Sequence, residues 1–148
     1  MRTTKQGLDL IKGFEGFQSK AYRCPAGVPT IGYGCTFYLD GTHVRMTDDP
    51  ITEAQAMGLL KEQLKYYEEG VNRYVKTKVT QSQFNALVSF IYNVGIGNFK
   101  NSTLLKKVNQ DPNDKTIAHE FKRWNKCKGR ILKVLTKRRC KESQVYFS

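Results

Sequence analysis

One stretch interrupts an otherwise helical pattern. Residues 21–39 are rich in Gly, Tyr, Thr and Phe and carry Pro25 and Pro29. Such a run reads as a short antiparallel sheet of two or three strands, and Asp40-Gly41 adds a turn signal. On both sides apolar residues recur at helical spacing: Leu8, Ile11 and Phe14 before it, then Ala56, Leu59, Leu60, Leu64 and Val71 after it. The predicted fold class is therefore α+β, predominantly helical, with a small antiparallel sheet lobe joined by a long helix to a helical lobe. Thr3 or Thr4 can cap the first helix and Thr52 the longest one. Gly70 weakens that helix by about 1 kcal/mol relative to Ala. Thr80-Gln81-Ser82-Gln83 is a capping box, opening a helix that is apolar on most sides and is expected to end at Gly95 and Gly97. A short helix starts at Asn101-Ser102. The next is marked by Ile117, Phe121 and Trp124 and closes near Gly129. The last carries Ile131, Leu132, Leu135, Val145 and Phe147. The 148 residues make a single domain, with a sheet lobe over about 16–50, a helical lobe over about 1–15 and 75–148, and a linking helix over about 52–74.

The formal net charge is +12. Residues 121–148 hold ten Lys or Arg against one acid, Glu142. A surface of this kind favours polyanions, such as nucleic acid, anionic lipid or an acidic wall polymer, or serves only solubility. The chain lacks any apolar run of about 18 residues, which disfavours a transmembrane helix, and Met1-Arg2-Thr3-Thr4-Lys5 lacks the apolar stretch of a signal peptide. Cys24, Cys35, Cys127 and Cys140 form no C-x-x-C pair, and no metal site or cofactor is expected. Free thiols are the default reading, with a Cys127–Cys140 bridge left open.

The chemistry concentrates where the first helix meets the Gly-rich run. Glu15 sits in Gly13-Phe14-Glu15-Gly16 and is the only acid between Asp9 and Asp40. Burial against Phe14 and Phe17 can raise a carboxyl pKa, which suits a general acid near neutral pH. Cys24 follows nine residues later and Thr30 six beyond that. An unperturbed thiol near pKa 8.5 is drawn toward thiolate by positive charge, here Lys20, Arg23 and the net charge. From the residues alone, Glu15 reads equally as a solvated helix-end acid, Cys24 as a small buried residue and Thr30 as an ordinary strand residue.

This spacing resembles the catalytic pattern of the phage-type lysozymes, endolysins of glycoside hydrolase family 24. The resemblance covers nearly the whole chain. The hairpin motif T-I-G-Y-G-H-T reads Thr30-Ile31-Gly32-Tyr33-Gly34-Cys35-Thr36, and I-T-E-x-Q-A reads Ile51 to Ala56. The central-helix motif runs from Gln81 to Gly95 and S-T-L-L from Ser102 to Leu105. The closing pattern is Arg123-Trp124 followed by Leu135-x-x-Arg138-Arg139-x-x-Glu142. Together these look like the lysozymes of phages of Gram-negative bacteria. Position 24 is Cys where many members have Asp, and position 35 is Cys where His is common, so no ion pair from that His can form here.

The resemblance implies a muramidase that hydrolyses the β-1,4 bond between N-acetylmuramic acid and N-acetylglucosamine in peptidoglycan. Glu15 is then the acid. Cys24 acts as base, nucleophile or water positioner, and Thr30 holds the water. Arg138, or alternatively Arg139, supports Glu15. Thr36, Tyr92 and Ser102 line the saccharide cleft, although Tyr92 also suits core packing and Ser102 an N-cap. The family also implies accumulation in the host cytoplasm and release to the periplasm and wall at lysis. The expected partners are peptidoglycan and, through the basic C-terminal helices, an anionic wall or outer-membrane surface; a monomer is expected. A competing reading is a basic helical binding module for anionic membrane or nucleic acid. No zinc finger, RNP-type motif or helix-turn-helix signature supports nucleic acid, and none is expected. A cysteine hydrolase built on Cys24 lacks a positioned His and Asn partner.

Overall fold

The computed structural model describes every residue from Met1 to Ser148. The order is α1 (Lys5–Glu15), β1 (Gln18–Arg23), β2 (Pro29–Gly32), α2 (Glu53–Tyr74), α3 (Gln81–Val94), α4 (Ile96–Lys100), α5 (Thr103–Gln110), α6 (Ile117–Lys122), β3 (Lys126–Cys127), β4 (Arg130–Ile131) and α7 (Lys133–Tyr146). This is the mostly helical α+β architecture that the periodicity predicts. It divides into two compact units, Asp9–Lys65 on one side and Met1–Leu8 with Tyr66–Ser148 on the other.

In the unit Asp9–Lys65, β1 and β2 pair antiparallel with Tyr22 opposite Thr30 and Arg23 opposite Pro29. An irregularity separates these pairs from Gln18 opposite Gly32. The sheet starts at Gln18, three residues before the Gly-rich run predicts. Isolated bridges join Ile31 to Cys35 and Phe37 to His43. The Asp40-Gly41 turn forms as the sequence suggests: Gly41 takes φ 85°, and the Asp40 carboxylate accepts from the Thr42 amide at 2.9 Å. Thr52 caps α2, its hydroxyl oxygen accepting from the Gln55 amide at 3.1 Å while the Thr52 amide donates to Gln55 Oε1 at 2.8 Å.

The larger unit is built on α3, whose residues from Gln83 to Tyr92 are all buried. Its Thr80 capping box is present in full. Phe90 meets Phe99, Phe121 and Trp124 edge-on, with centroids 6.5, 5.4 and 5.8 Å away. Gly70 has a packing reason that the sequence did not reveal: a Cβ there would lie 3.0 Å from the Ile96 side chain. Thr4, just before α1, is tied to α3 through Asn85. Its hydroxyl accepts from Asn85 Nδ2 at 2.8 Å, and its amide donates to Asn85 Oδ1 at 3.2 Å.

Three boundaries differ from expectation. Gly95, at φ 90°, ends α3, but the chain re-enters a helix at once and Gly97 lies inside α4. The helix expected to reach Gly129 stops at Lys122, and a hairpin follows. Lys128 and Gly129 both adopt positive φ, 51° and 79°, which makes a two-residue turn of the type matched to strand twist. Strands of two residues carry no alternation, so no pattern could announce them. Ile131 consequently leaves the last helix for β4, where it is 63% exposed. All four cysteines are free thiols.

Helix α7 is anchored by buried charge. Glu142 is fully buried and paired with Arg138 (Nε to Oε2, 3.2 Å) and with Arg139. Ser89 donates its hydroxyl to Glu142 at 2.5 Å, Arg138 Nη2 donates to the Ser89 carbonyl at 3.0 Å, and Arg139 Nε donates to the Trp124 carbonyl at 2.8 Å. Removing one partner of a buried pair strands the other charge at a cost of about 3–5 kcal/mol. Glu142→Gln keeps the shape and removes the charge. Its expected unfolding free energy in urea is lower by about 3 kcal/mol, and a loss under about 1 kcal/mol would show that the network is not needed for stability.

Candidate active site

The candidate residues Glu15, Cys24, Thr30 and Thr36 all lie in the unit Asp9–Lys65. Glu15 is the last residue of α1, and Gly16 follows at φ 65°. A left-handed glycine after the last turn is a common helix stop because it carries no Cβ penalty. Its amide donates to the Lys12 carbonyl at 2.9 Å.

Beyond β2, Gly32-Tyr33-Gly34 forms a tight turn. Ile31 and Cys35 exchange two backbone hydrogen bonds of 2.9 Å, and Gly32 and Gly34 take φ 67° and 80°. Glu15 lies directly over Gly34, where a Cβ would fall 2.7 Å from its carboxyl carbon and closer still to Oε2. Gly34 is therefore required twice, for its backbone conformation and for the space the acid occupies. Tyr33 is buried between Phe17 (centroids 5.7 Å) and Glu53, to which its hydroxyl donates at 2.8 Å. Lys12 Nζ sits 5.4 Å from the Tyr33 ring centroid.

Cys24 occupies the loop between β1 and β2. Its amide donates to the Val28 carbonyl at 3.0 Å, and its carbonyl accepts from the Gly27 amide at 2.7 Å. Arg23 closes the same loop by donating from Nη1 to the Gly27 carbonyl at 3.0 Å. The thiol is half-buried. Thr30, on β2, is 3% exposed and donates its hydroxyl proton to the Val28 carbonyl at 2.8 Å. With its proton committed, the hydroxyl has only acceptor capacity left, narrower than the two-way hydroxyl the sequence offers. Thr36 follows the turn, half-exposed, and its carbonyl accepts from the Val44 amide at 2.9 Å.

Tyr22 was not singled out in the sequence. It pairs across the sheet with Thr30 and so stands on the same face. Burial, and then the charges of Glu15, Cys24 and Cys35, raise its pKa and hold the phenol protonated. Nothing in the spacing marks it, because facing Thr30 depends on strand register.

The remaining candidates belong to the other unit. Tyr92 is 9% exposed and meets Tyr67 edge-on at 5.2 Å. Ser102 is an N-cap: it accepts from the Leu105 amide at 3.1 Å and donates to the Phe99 carbonyl at 2.7 Å. It also lines a hollow of about 310 Å³ with Asn101, Thr103, Glu120, Arg123 and Trp124. Burial works against the Glu120 carboxylate, but Arg123 (2.9 Å) and Lys107 (3.2 Å) outweigh it and lower its pKa. Arg138 and Arg139 hold Glu142 as described.

The Phage lysozyme family model matches residues 12–142. An endolysin of Bacillus phage PZA is 41% identical over all of this chain, which spans 56% of that protein's length. The chain thus covers about half of that relative. An endolysin of Salmonella phage P22 is 34% identical, covering 100% of this chain and 99% of its own. Among solved structures, an endolysin from Escherichia coli O157:H7 phage FAHEc1 aligns with TM-score 0.89 at 38% identity, covering 100% of this chain and 94% of that one.

The overlap between a Gly34 side chain and Glu15 has a direct consequence. Placing an L-residue in left-handed geometry costs about 1–2 kcal/mol, and displacement of the acid adds to it. Gly34→Ala is expected to lower the midpoint of thermal unfolding by several degrees, whereas Gly13→Ala, where nothing lies within 4 Å, is not. Equal midpoints for both variants would mean that Glu15 does not rest on Gly34 in solution.

Proposed function

We propose that this chain, which belongs to the phage lysozyme family, is a muramidase cutting the β-1,4 bond between N-acetylmuramic acid and N-acetylglucosamine in peptidoglycan. The observation that carries the reading is the presence within one unit of a carboxylic acid laid on Gly34, a half-buried thiol in a closed loop, and a buried hydroxyl whose proton is donated to Val28. Glycoside hydrolysis needs a proton for the leaving oxygen and an attacking group at the anomeric carbon. Glu15 supplies the proton as the bond to the leaving sugar breaks. A water attacks, held by donating to Thr30 Oγ1 and activated by Cys24, whose thiolate takes the water's second proton. The attack on the sugar is therefore through water, and the first product has an inverted anomeric centre.

The supporting arginine is Arg138. Arg139 is the alternative, since both guanidiniums are buried and paired with Glu142. Thr36, Tyr92 and Ser102 contact the saccharide. Ser102 acts there by shaping the wall, because its hydroxyl is committed to the cap. The protein accumulates in the host cytoplasm and meets peptidoglycan at lysis. No helix is long and apolar enough to cross a membrane.

The decisive experiment is mass spectrometry of products from purified peptidoglycan. Reducing muramic acid ends are expected from the wild-type protein and none from Glu15→Gln with an unchanged fold. Anhydro-muramic ends would make it a transglycosylase, and activity retained by the variant would remove Glu15 from the chemistry. Thr30→Val keeps the shape and removes the water's acceptor. A rate loss of about 10²-fold is expected, the scale of a misplaced reactant, and an unchanged rate refutes the role. Alkylation of Cys24 should inactivate the protein, with substrate protecting it.

A further inference from the structure

The ten basic residues of the C-terminal segment do not form one solvated face. Arg138 and Arg139 are 5% and 0% exposed and are spent on Glu142. What remains outside is concentrated on the β3–β4 hairpin and the first turns of α7. Lys126, Lys128 and Arg130 of the hairpin, Lys133 and Lys137 of α7, and Lys122 at the end of α6 are all exposed. The flanking acids cannot offset them, since Glu120 and Glu142 are both buried and already paired. Among these cations stand two aliphatic side chains, Ile131 and Val134, 63% and 60% exposed.

The hairpin is also held in place. Its turn puts Lys128 at φ 51°, a left-handed conformation that a non-glycine residue adopts at a cost. At its root the Leu132 amide donates to the Asn125 carbonyl at 3.0 Å, and Arg139 Nε donates to the Trp124 carbonyl at 2.8 Å. A strained turn fixed to a buried network presents its side chains in one arrangement.

We propose that this hairpin and the start of α7 form a docking surface for an anionic lipid bilayer. A soluble polyanion uses only the charge. A bilayer supplies a negative surface for the six cations together with an apolar layer beneath it for Ile131 and Val134. Two exposed aliphatics in the same segment as these cations fit the second partner and are wasted on the first. This inference is independent of the cleavage reaction, because none of these residues takes part in it.

The test is sedimentation of the full chain with vesicles of phosphatidylcholine, alone or with about one third phosphatidylglycerol, at low and physiological salt. Soluble dextran sulfate is titrated in parallel. Binding is expected to the anionic vesicles only and to weaken with salt. Lys126→Ser/Lys128→Ser/Arg130→Ser should weaken it by roughly 100-fold, at about fivefold per cation near the surface. Ile131→Ser/Val134→Ser should weaken vesicle binding severalfold yet bind dextran sulfate as wild type does. If the aliphatic variant binds vesicles as the wild type does, the surface is a polyelectrolyte site and the proposal is overturned. Wild-type vesicle binding by the charge variant overturns it equally. Unchanged circular dichroism and unchanged peptidoglycan cleavage in both variants separate these outcomes from misfolding.

Discussion

The larger unit depends on one buried carboxylate. Glu142 brings together two guanidiniums from its own helix and the Ser89 hydroxyl of α3. Through Arg139 the same cluster reaches Asn93 and the Trp124 carbonyl, and the Arg139 guanidinium lies 5.0 Å from the Phe90 ring centroid. Buried ions of one sign are costly, so two arginines can be inside only because an acid is there to meet them. That requirement fixes the rotation of α7 against α3 more strictly than aliphatic packing could. It also explains why a helix with so little apolar periodicity is nevertheless at home in a core.

A different constraint governs the unit that carries the acid. There the controlling fact is the absence of side chains. Gly16 lets the chain leave α1, and Gly34 gives the carboxyl of Glu15 its resting place. The resulting site is made by backbone: a tight turn under the acid, a closed loop holding Cys24, and a carbonyl that consumes the Thr30 proton. Groups held this way have little freedom to reorganise during a reaction, which is what preorganisation requires.

Much of this was legible in the residues. The cap at Thr52, the capping box at Thr80, the Asp40-Gly41 turn and the apolar run of α3 all formed where the spacing placed them, because each is a local signal satisfied within a few residues. The proximity of Glu15 to the glycine-rich hairpin was legible too, through motif order. Tyr22 escaped notice because facing Thr30 depends on strand register. The β3–β4 hairpin escaped because its strands are shorter than any pattern. For the basic tail the limit is different: charge counts on a sequence do not distinguish solvated arginines from those that neutralise a buried acid.

The sequence by itself determined the α+β class, the starts of α2 and α3, the family, and which acid, thiol and hydroxyl stand near one another along the chain. These follow from local propensity, capping and motif spacing, all of which act over a few residues. Only the tertiary structure decided that Thr30 donates its hydroxyl proton to Val28, that Gly34 is the floor under Glu15, that Ser102 spends its hydroxyl on a cap, and which of the basic residues remain outside. Each of these depends on where a second, distant group lies, and burial and hydrogen-bond saturation are properties of the packed chain.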